Sequence, residues 1–175
     1  MVLAGERELG SVAAELVVNR LIARPRARLL LEPGHAPRPM FEALRAHAAA
    51  GELPSADATI LQLEELAGAT TERDALRAEL DGIPLGALLT LDGTAADLDA
   101  EAARHAAEVE TATVDLAVVG LDADGGVALD APPARRASGV RVVQLATGQE
   151  ALTVGLGTLY RARELIILAR GIETA

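Results

Sequence analysis

The sequence predicts an α/β fold, a three-layer αβα sandwich whose central sheet is mostly parallel and Rossmann-like. Short apolar runs alternate with longer segments in which apolar residues recur at helical spacing, as in successive βα units. The run 114–119 is nearly all apolar, which is typical of a strand buried on both faces of a parallel sheet. Residues 1–175 are expected to form one domain, because a chain of 175 residues suits a single core.

The predicted elements follow one another along the chain. The first helix covers 6–23 and ends before Arg24-Pro25. Further helices are predicted at 38–50 with Gly51 as C-cap, at 71–80 after Thr70 or Thr71, and at 95–110 after Thr94. Strands are predicted at 27–31, 59–63, 88–91, 114–119, 140–145 and 165–169, while 151–160 mixes strand and helix features. Two histidines within predicted helices, His47 and His105, are expected at the surface.

Composition excludes several classes of function. The net charge is −10, so the domain repels nucleic acid and anionic membranes, whose binding depends on Lys and Arg contacts with phosphate. Cysteine is absent, which removes disulfides and thiolate metal sites and fits a cytoplasmic location. The sequence shows neither a signal-peptide pattern nor an apolar run long enough to span a bilayer. We expect no metal and no cofactor.

Parallel sheets bind ligands beyond the carboxyl ends of their strands, which directs attention to three loops. In the first, Gly34, His35 and Ala36 precede a helix whose N-terminal N–H groups suit an anion. The alternative is a plain strand-to-helix connection with an exposed His35. In the second, Glu64 and Glu65 follow a strand and could supply a general base. Their alternative role is that of an exposed acidic pair.

The third loop is acidic and rich in glycine. It contains Asp122, Asp124, Gly125 and Gly126 directly after the buried strand 114–119. Calcium is disfavoured because the spacing lacks the rest of an EF-hand loop and its terminal Glu. A dinucleotide fingerprint is also disfavoured, since the glycines do not match G-x-G-x-x-G. The turn is therefore predicted to hold carboxylates near the strand tip.

A family resemblance rests on four collinear stretches. Residues 113–132, TVDLAVVGLDADGGVALDAP, resemble the strand and active-site loop of the glucosamine-6-phosphate deaminase family, related to the 6-phosphogluconolactonases, with the approximate motif I-D-L-x-x-x-G-x-G-x-D-G-H-I-A-F-N-E-P. Residues 44–68 resemble the segment that ends near F-N-M-D-E-Y-V-G, and residues 91–109 resemble the turn and helix before the motif strand. Residues 151–175 resemble A-L-T-V-G-x-G-T-L followed by a strand and G-x-x-K-A.

The resemblance implies roles for some residues. Glu64 stands where the family has the Asp that moves protons at the sugar's C1–C2 region, Glu65 matches the next acid, and Asp124 matches the motif carboxylate. The phosphate-binding loop T-G-G-T-P corresponds to residues 33–37, which keep Gly34 and Pro37 but lose both hydroxyls. In the phosphate-binding loop the ligand contacts would come from Gly34, His35 and Ala36. In the motif loop they would come from Gly125 and Gly126.

The resemblance also reveals departures. Gly126 replaces the family histidine, Ala131 the Glu that orients it, and Thr174 the phosphate-binding Lys. The lid segment is shortened to about 133–150, where Arg135, Arg136 or Arg141 could supply a replacement charge. The resemblance further implies that the family's C-terminal segment beyond this lysine position is shortened.

Three functions follow from this resemblance. The first is a deaminase or isomerase of an amino-sugar phosphate with weak or altered activity. The second is a non-catalytic relative that binds a phosphorylated sugar or a protein. The third is an isomerase or hydrolase of another sugar phosphate. Homo-oligomers are a further expectation, since family deaminases form symmetric assemblies.

Overall fold

A computed structural model describes residues 5–121, 125–129 and 137–169. The elements in chain order are α1 (Glu6–Ala23), β1 (Arg28–Leu31), α2 (Arg38–Ala49), β2 (Thr59–Gln62), β3 (Glu64–Leu66), α3 (Thr71–Glu79), β4 (Ala87–Leu89), α4 (Leu98–Glu110), β5 (Leu116–Leu121), β6 (Val140–Gln144), β7 (Glu150–Val154), α5 (Leu156–Leu159) and β8 (Leu165–Ala169). None of the helices in these ranges is long and apolar enough to cross a membrane.

The central sheet is parallel and has the strand order β4-β2-β1-β5-β8. β1 lies in the middle, and its Leu31 pairs with Gln62 of β2 on one side and with Val118 of β5 on the other. Helices cover both faces, which confirms the predicted αβα architecture. A second sheet, β3-β7-β6, is antiparallel and was not predicted as a separate unit.

Alternate residues of β1 face two different cores. Leu29 and Leu31 pack with residues of α1, α2 and α3, including Phe41, on one side of the sheet. Leu30 faces the opposite side, where α4 and α5 contribute apolar side chains. Both cores are almost entirely aliphatic, so their stability comes from many small contacts, at about 25 cal/mol per Å² of apolar surface buried.

The chain passes from the large sheet to the small one at Leu63. The N–H of Leu63 donates to the carbonyl oxygen of Leu31 over 3.0 Å, and its own carbonyl accepts the N–H of Val154 over 3.0 Å. The predicted strand 59–63 therefore ends at Gln62, and a new strand begins at Glu64. This passage fixes where the Glu64 and Glu65 side chains point.

Two expectations about α4 were wrong. The helix begins at Leu98, and its cap is Asp97, whose carboxylate accepts the N–H of Ala100 over 2.9 Å, rather than Thr94. His105 is fully buried, although a surface position was expected. The helical spacing of Ala102, His105 and Val109 could have revealed this, because all three lie on the buried face.

Candidate functional site

The candidate site lies at the carboxyl edge of the central sheet, where β1, β2 and β5 end. From β1 the chain continues to β2 and β4 on one side, and later to β5 and β8 on the other. The crevice between the ends of β1 and β5 is therefore the topological switch point, where open α/β sheets bind ligands.

The first loop, residues 32–37, follows β1 at this crevice. Gly34 has φ +143°, a value that favours glycine. His35 is exposed and Ala36 is half-buried. The carbonyl of Gly34 accepts the N–H of Arg38 over 3.1 Å, which leads the chain into α2. The three ligand-contact residues predicted here thus lie beside the switch point.

Glu32 is a site residue that the sequence did not single out. Its side chain is buried, and a carboxylate oxygen accepts the N–H of Gly120 near the end of β5. A Cβ added to Gly120 would lie 2.6 Å from that oxygen and 3.3 Å from Cβ of Ala36. A charged residue directly after the apolar strand Leu29–Leu31 was the available signal.

Glu64 belongs to a row of three side chains across the small sheet. It pairs with Thr153 of β7, and Thr153 pairs in turn with Arg141 of β6. Residues directly opposite in antiparallel strands share a face, so Glu64, Thr153 and Arg141 lie on one side of this sheet. Glu64 is only 9% exposed. The row therefore combines a buried carboxylate, which can transfer a proton, with a cation two strands away.

The described part of the third loop, residues 125–129, lies over this row. The hydroxyl of Thr153 donates to the carbonyl of Ala128 over 2.5 Å. Gly125 has φ +82°, and Ala128 and Leu129 adopt φ +57° and +55°, values that non-glycine residues seldom take. Gly125 is exposed and Gly126 is buried. A strained turn beside a buried carboxylate is common at functional sites.

Glu65 points to the other side of the small sheet and contacts the start of α3. Its carboxylate accepts the N–H groups of Leu66, Glu72 and Arg73 over 3.0, 3.2 and 2.8 Å. Thr70 occupies the N-cap position of α3, as one of the two predicted candidates, but its hydroxyl makes no capping hydrogen bond, and Glu65 accepts the N–H groups of the first turn instead. These contacts give Glu65 a structural role, and burial together with the Glu65 charge raises the pKa of Glu72.

Gln62 links the backbone of Glu64 to His105 of α4. Its side-chain amide donates to the carbonyl of Glu64 over 2.7 Å and accepts the N–H of Leu91 over 3.0 Å. Its backbone carbonyl lies 2.9 Å from Nε2 of His105. Burial lowers the pKa of His105, and the contact with Gln62 only partly opposes this effect. The network holds the backbone on which Glu64 stands.

Several predicted residues lie outside the described ranges. They are Asp124, Ala131, the Arg135/Arg136 pair and Thr174. Within the described residues, no group of three or more His, Cys, Asp or Glu side chains is arranged to hold a metal ion. The structure thus brings the 32–37 loop to the end of β5, and the 125–129 turn to the row that contains Glu64.

Comparisons with known proteins agree with this architecture. No protein-family model matches the chain. A glucosamine-6-phosphate deaminase of Streptomyces coelicolor is 31% identical in an alignment of 188 positions, gaps included, that covers 93% of this chain and 72% of that protein. The solved structure of a monomeric glucosamine-6-phosphate deaminase superposes with a TM-score of 0.83 at 21% identity, covering 95% of this chain and 80% of that one.

A second group of solved structures has the same fold. The 6-phosphogluconolactonase of Trypanosoma cruzi superposes with a TM-score of 0.78 at 18% identity, over 99% of this chain and 80% of that one. At such identities the likeness concerns the fold alone. The deaminase relative, by contrast, shares nearly a third of its aligned residues with this chain. The resemblance seen in the four sequence stretches is therefore confirmed, and the chain belongs to the glucosamine-6-phosphate deaminase family.

Proposed function

We propose that this chain binds a phosphorylated amino sugar at the carboxyl edge of its central sheet and deaminates it slowly. The observation that carries the proposal is the row of Glu64, Thr153 and Arg141 beneath the 125–129 turn. A carboxylate held away from water can take and return a proton at a sugar carbon, and such groups contribute about 10²- to 10⁴-fold to rates.

The reduced rate follows from Gly126. This residue aligns with the family histidine, and glycine has no side chain with which to transfer a proton. Glu64 also has one methylene more than the family Asp, and catalysis is sensitive to displacements of about 1 Å. In this proposal Glu64 is the base, Asp124 is a second carboxylate, and Glu65 keeps its structural contacts.

Ammonia release from glucosamine 6-phosphate tests this proposal. Glu64→Gln removes the proton acceptor and keeps the shape, so the rate should fall at least about 100-fold. Glu42→Gln makes the same change at an exposed position of α2 and should leave the rate unaltered. Equal rates for the wild-type protein and the Glu64 variant would exclude Glu64 as the base.

A second candidate is a non-catalytic sugar-phosphate-binding protein. The observation that favours it is again Gly126, together with Ala131 at the position of the residue that would orient a histidine. This candidate predicts that glucosamine 6-phosphate raises the melting temperature of the wild-type protein, because a ligand of the folded state stabilises it. It also predicts no ammonia above that from the Glu64 variant.

A further inference from the structure

The last strand of the central sheet, β8, has an open edge. It stands at the end of the strand order, and among the described residues its backbone pairs with β5 alone. An unpaired edge is a row of N–H and carbonyl groups to which another strand can add. Charged residues and prolines usually prevent such addition, and β8 contains neither. The edge is therefore suited to receive a further strand.

The hydrogen bonds to β5 determine which backbone groups of β8 face the open edge. The carbonyl of Glu164 accepts the N–H of Ala117 over 2.9 Å, and Ala117 lies opposite Leu165 in the parallel register. Successive residues of a strand direct their backbone groups to opposite edges, so Glu164 and the even-numbered residues after it face β5. Leu165, Ile167 and Ala169 consequently direct their N–H and carbonyl groups to the open edge.

The same residues have exposed side chains. Leu165 is 37% exposed and Ile167 is 52% exposed, and Ala169 is exposed as well. They share one face of the sheet, because side chains alternate along a strand. Ile166 and Leu168 lie on the other face, where they belong to the core beneath α1. An exposed apolar row beside an open backbone edge is typical of a surface that binds another protein chain.

Helix α1 adds an apolar side chain on the opposite face of this edge. Arg20 of α1 forms an ion pair with Glu164, which directly precedes β8, and its Nε lies 3.3 Å from Oε2 of Glu164. Leu16 lies one turn before Arg20 on the same side of the helix and is 45% exposed. Apolar groups thus flank the open edge on both faces of the sheet.

The sequence around β8 is complementary to itself in the antiparallel direction. Glu164 precedes the strand and Arg170 follows it. When two copies run antiparallel with Ile167 opposite Ile167, each Glu164 comes opposite Arg170 of the other copy. In this register Leu165 comes opposite Ala169. The residues that face the open edge then form the hydrogen-bonded pairs, so each of their N–H and carbonyl groups gains a partner.

We propose that two copies of this chain associate through β8, in an antiparallel pairing centred on Ile167 that joins their central sheets across a two-fold axis. The pairing uses the same edge of both copies, so it closes as a dimer and does not extend into a filament. The interface is small, and we expect a dissociation constant of about 1–100 µM. The dimer does not depend on the candidate ligand site, which lies where β1, β2 and β5 end.

Sedimentation equilibrium of the wild-type protein between about 1 and 500 µM should show a shift from monomer to dimer. Salt at about 0.15 M limits the repulsion between two chains of net charge −10. Ile167→Lys places two ammonium groups opposite each other at the two-fold axis, so the dimer should be lost. Ile22→Lys makes the same change at an exposed position of α1, on the side of the helix opposite to Arg20, and should dimerise like the wild-type protein.

Hydrogen exchange of the β8 amides is a second measurement, which uses the wild-type protein alone. The amides of Ile166 and Leu168 face β5 and should be protected at every protein concentration. The amides of Leu165, Ile167 and Ala169 should exchange rapidly in dilute protein and become protected as the concentration rises. This alternation along one strand distinguishes pairing of the β8 edges from association through any other surface.

Three results would overturn the β8 dimer. The first is a protein that stays monomeric up to about 500 µM with its outward amides unprotected, which would leave the edge to a strand of a different protein. The second is protection of these amides in the monomer, because residues of the same chain would then cover the edge. The third is a dimer that Ile167→Lys and Ile22→Lys weaken equally.

Discussion

The Nε2 atom of His105 lies 2.9 Å from the carbonyl oxygen of Gln62, inside the protein. A carbonyl oxygen only accepts hydrogen bonds, so Nε2 must carry the proton. Nδ1 of His105 is buried and has no hydrogen-bond partner among the described residues. A second proton on this ring would therefore be a buried, unpaired charge, which is why burial lowers the pKa of His105.

Stability should consequently fall in mild acid. The pKa of His105 is lower in the folded state than its value of about 6.5 in an unfolded chain. Between these values the unfolded state binds more protons, so the free energy of unfolding decreases as the pH falls, by at most about 1.4 kcal/mol per pH unit. Urea unfolding between pH 8 and pH 5.5 measures this slope.

A pair of variants isolates the contribution of His105. His105→Phe removes the titrating ring and should flatten the pH dependence, although its stability at pH 8 should be lower because the Gln62 carbonyl loses its donor. His47→Phe, at a partly exposed position beside Glu52, should keep the slope of the wild-type protein. An unchanged slope in His105→Phe would assign the acid sensitivity to other groups.

The side chain of Gln62 should also stabilise the folded state. Its side chain donates to the carbonyl of Glu64 and accepts the N–H of Leu91. Gln62→Leu leaves both backbone groups buried without these partners, so we expect a loss of about 2–4 kcal/mol in the free energy of unfolding. Gln144→Leu, an exposed control on β6, should change it by less than about 0.5 kcal/mol. A similar small loss for Gln62→Leu would contradict the role of this network.

Local sequence patterns predicted helix α1, but they did not predict the buried residues of the candidate site. The helix 6–23 was predicted to the residue, since repeated apolar positions between breakers determine such a segment locally. The burial of Glu32 and His105 depends on contacts with Gly120 and Gln62, which lie 88 and 43 positions away. No local pattern encodes those partners.

The sequence predicted those parts of the candidate site whose position depends only on where the strands end. The alternation of strands and helices predicted that the 32–37 loop lies at the carboxyl edge of a parallel sheet, whereas its position beside β5 follows from the observed strand order. Adjacent strand residues always face opposite sides, but the sequence did not predict that Glu64 and Glu65 belong to a second sheet, which begins after the passage at Leu63. Two adjacent carboxylates thereby acquire different surroundings.

Glu65 should affect folding more than chemistry. Glu65→Ala leaves the first N–H groups of α3 without their acceptor, so we expect a loss of about 2–3 kcal/mol in the free energy of unfolding. Glu15→Ala, at an exposed position of α1, should cost less than about 0.5 kcal/mol. Denaturant unfolding compares the two. If Glu65→Ala were as stable as the control, the contacts with α3 would be unimportant.

Arg141 should supply the attraction for an anionic ligand group on the face that carries Glu64. The chain has a net charge of −10, so a phosphate group needs a local cation, and Arg141 shares the row of Thr153 and Glu64. Arg141→Met keeps much of the apolar side chain and removes the guanidinium. We expect it to weaken glucosamine 6-phosphate binding about tenfold, measured by calorimetry.

Arg77→Met is the matched control, because Arg77 is exposed on α3. Both variants make the net charge more negative by one unit, so a purely long-range effect would weaken binding equally in both, and added salt would remove it. A selective loss in Arg141→Met that persists at high salt indicates direct contact, since close pairs with reduced exposure to solvent are screened less. Equal affinities for Arg141→Met and the wild-type protein would mean that the phosphate group lies elsewhere.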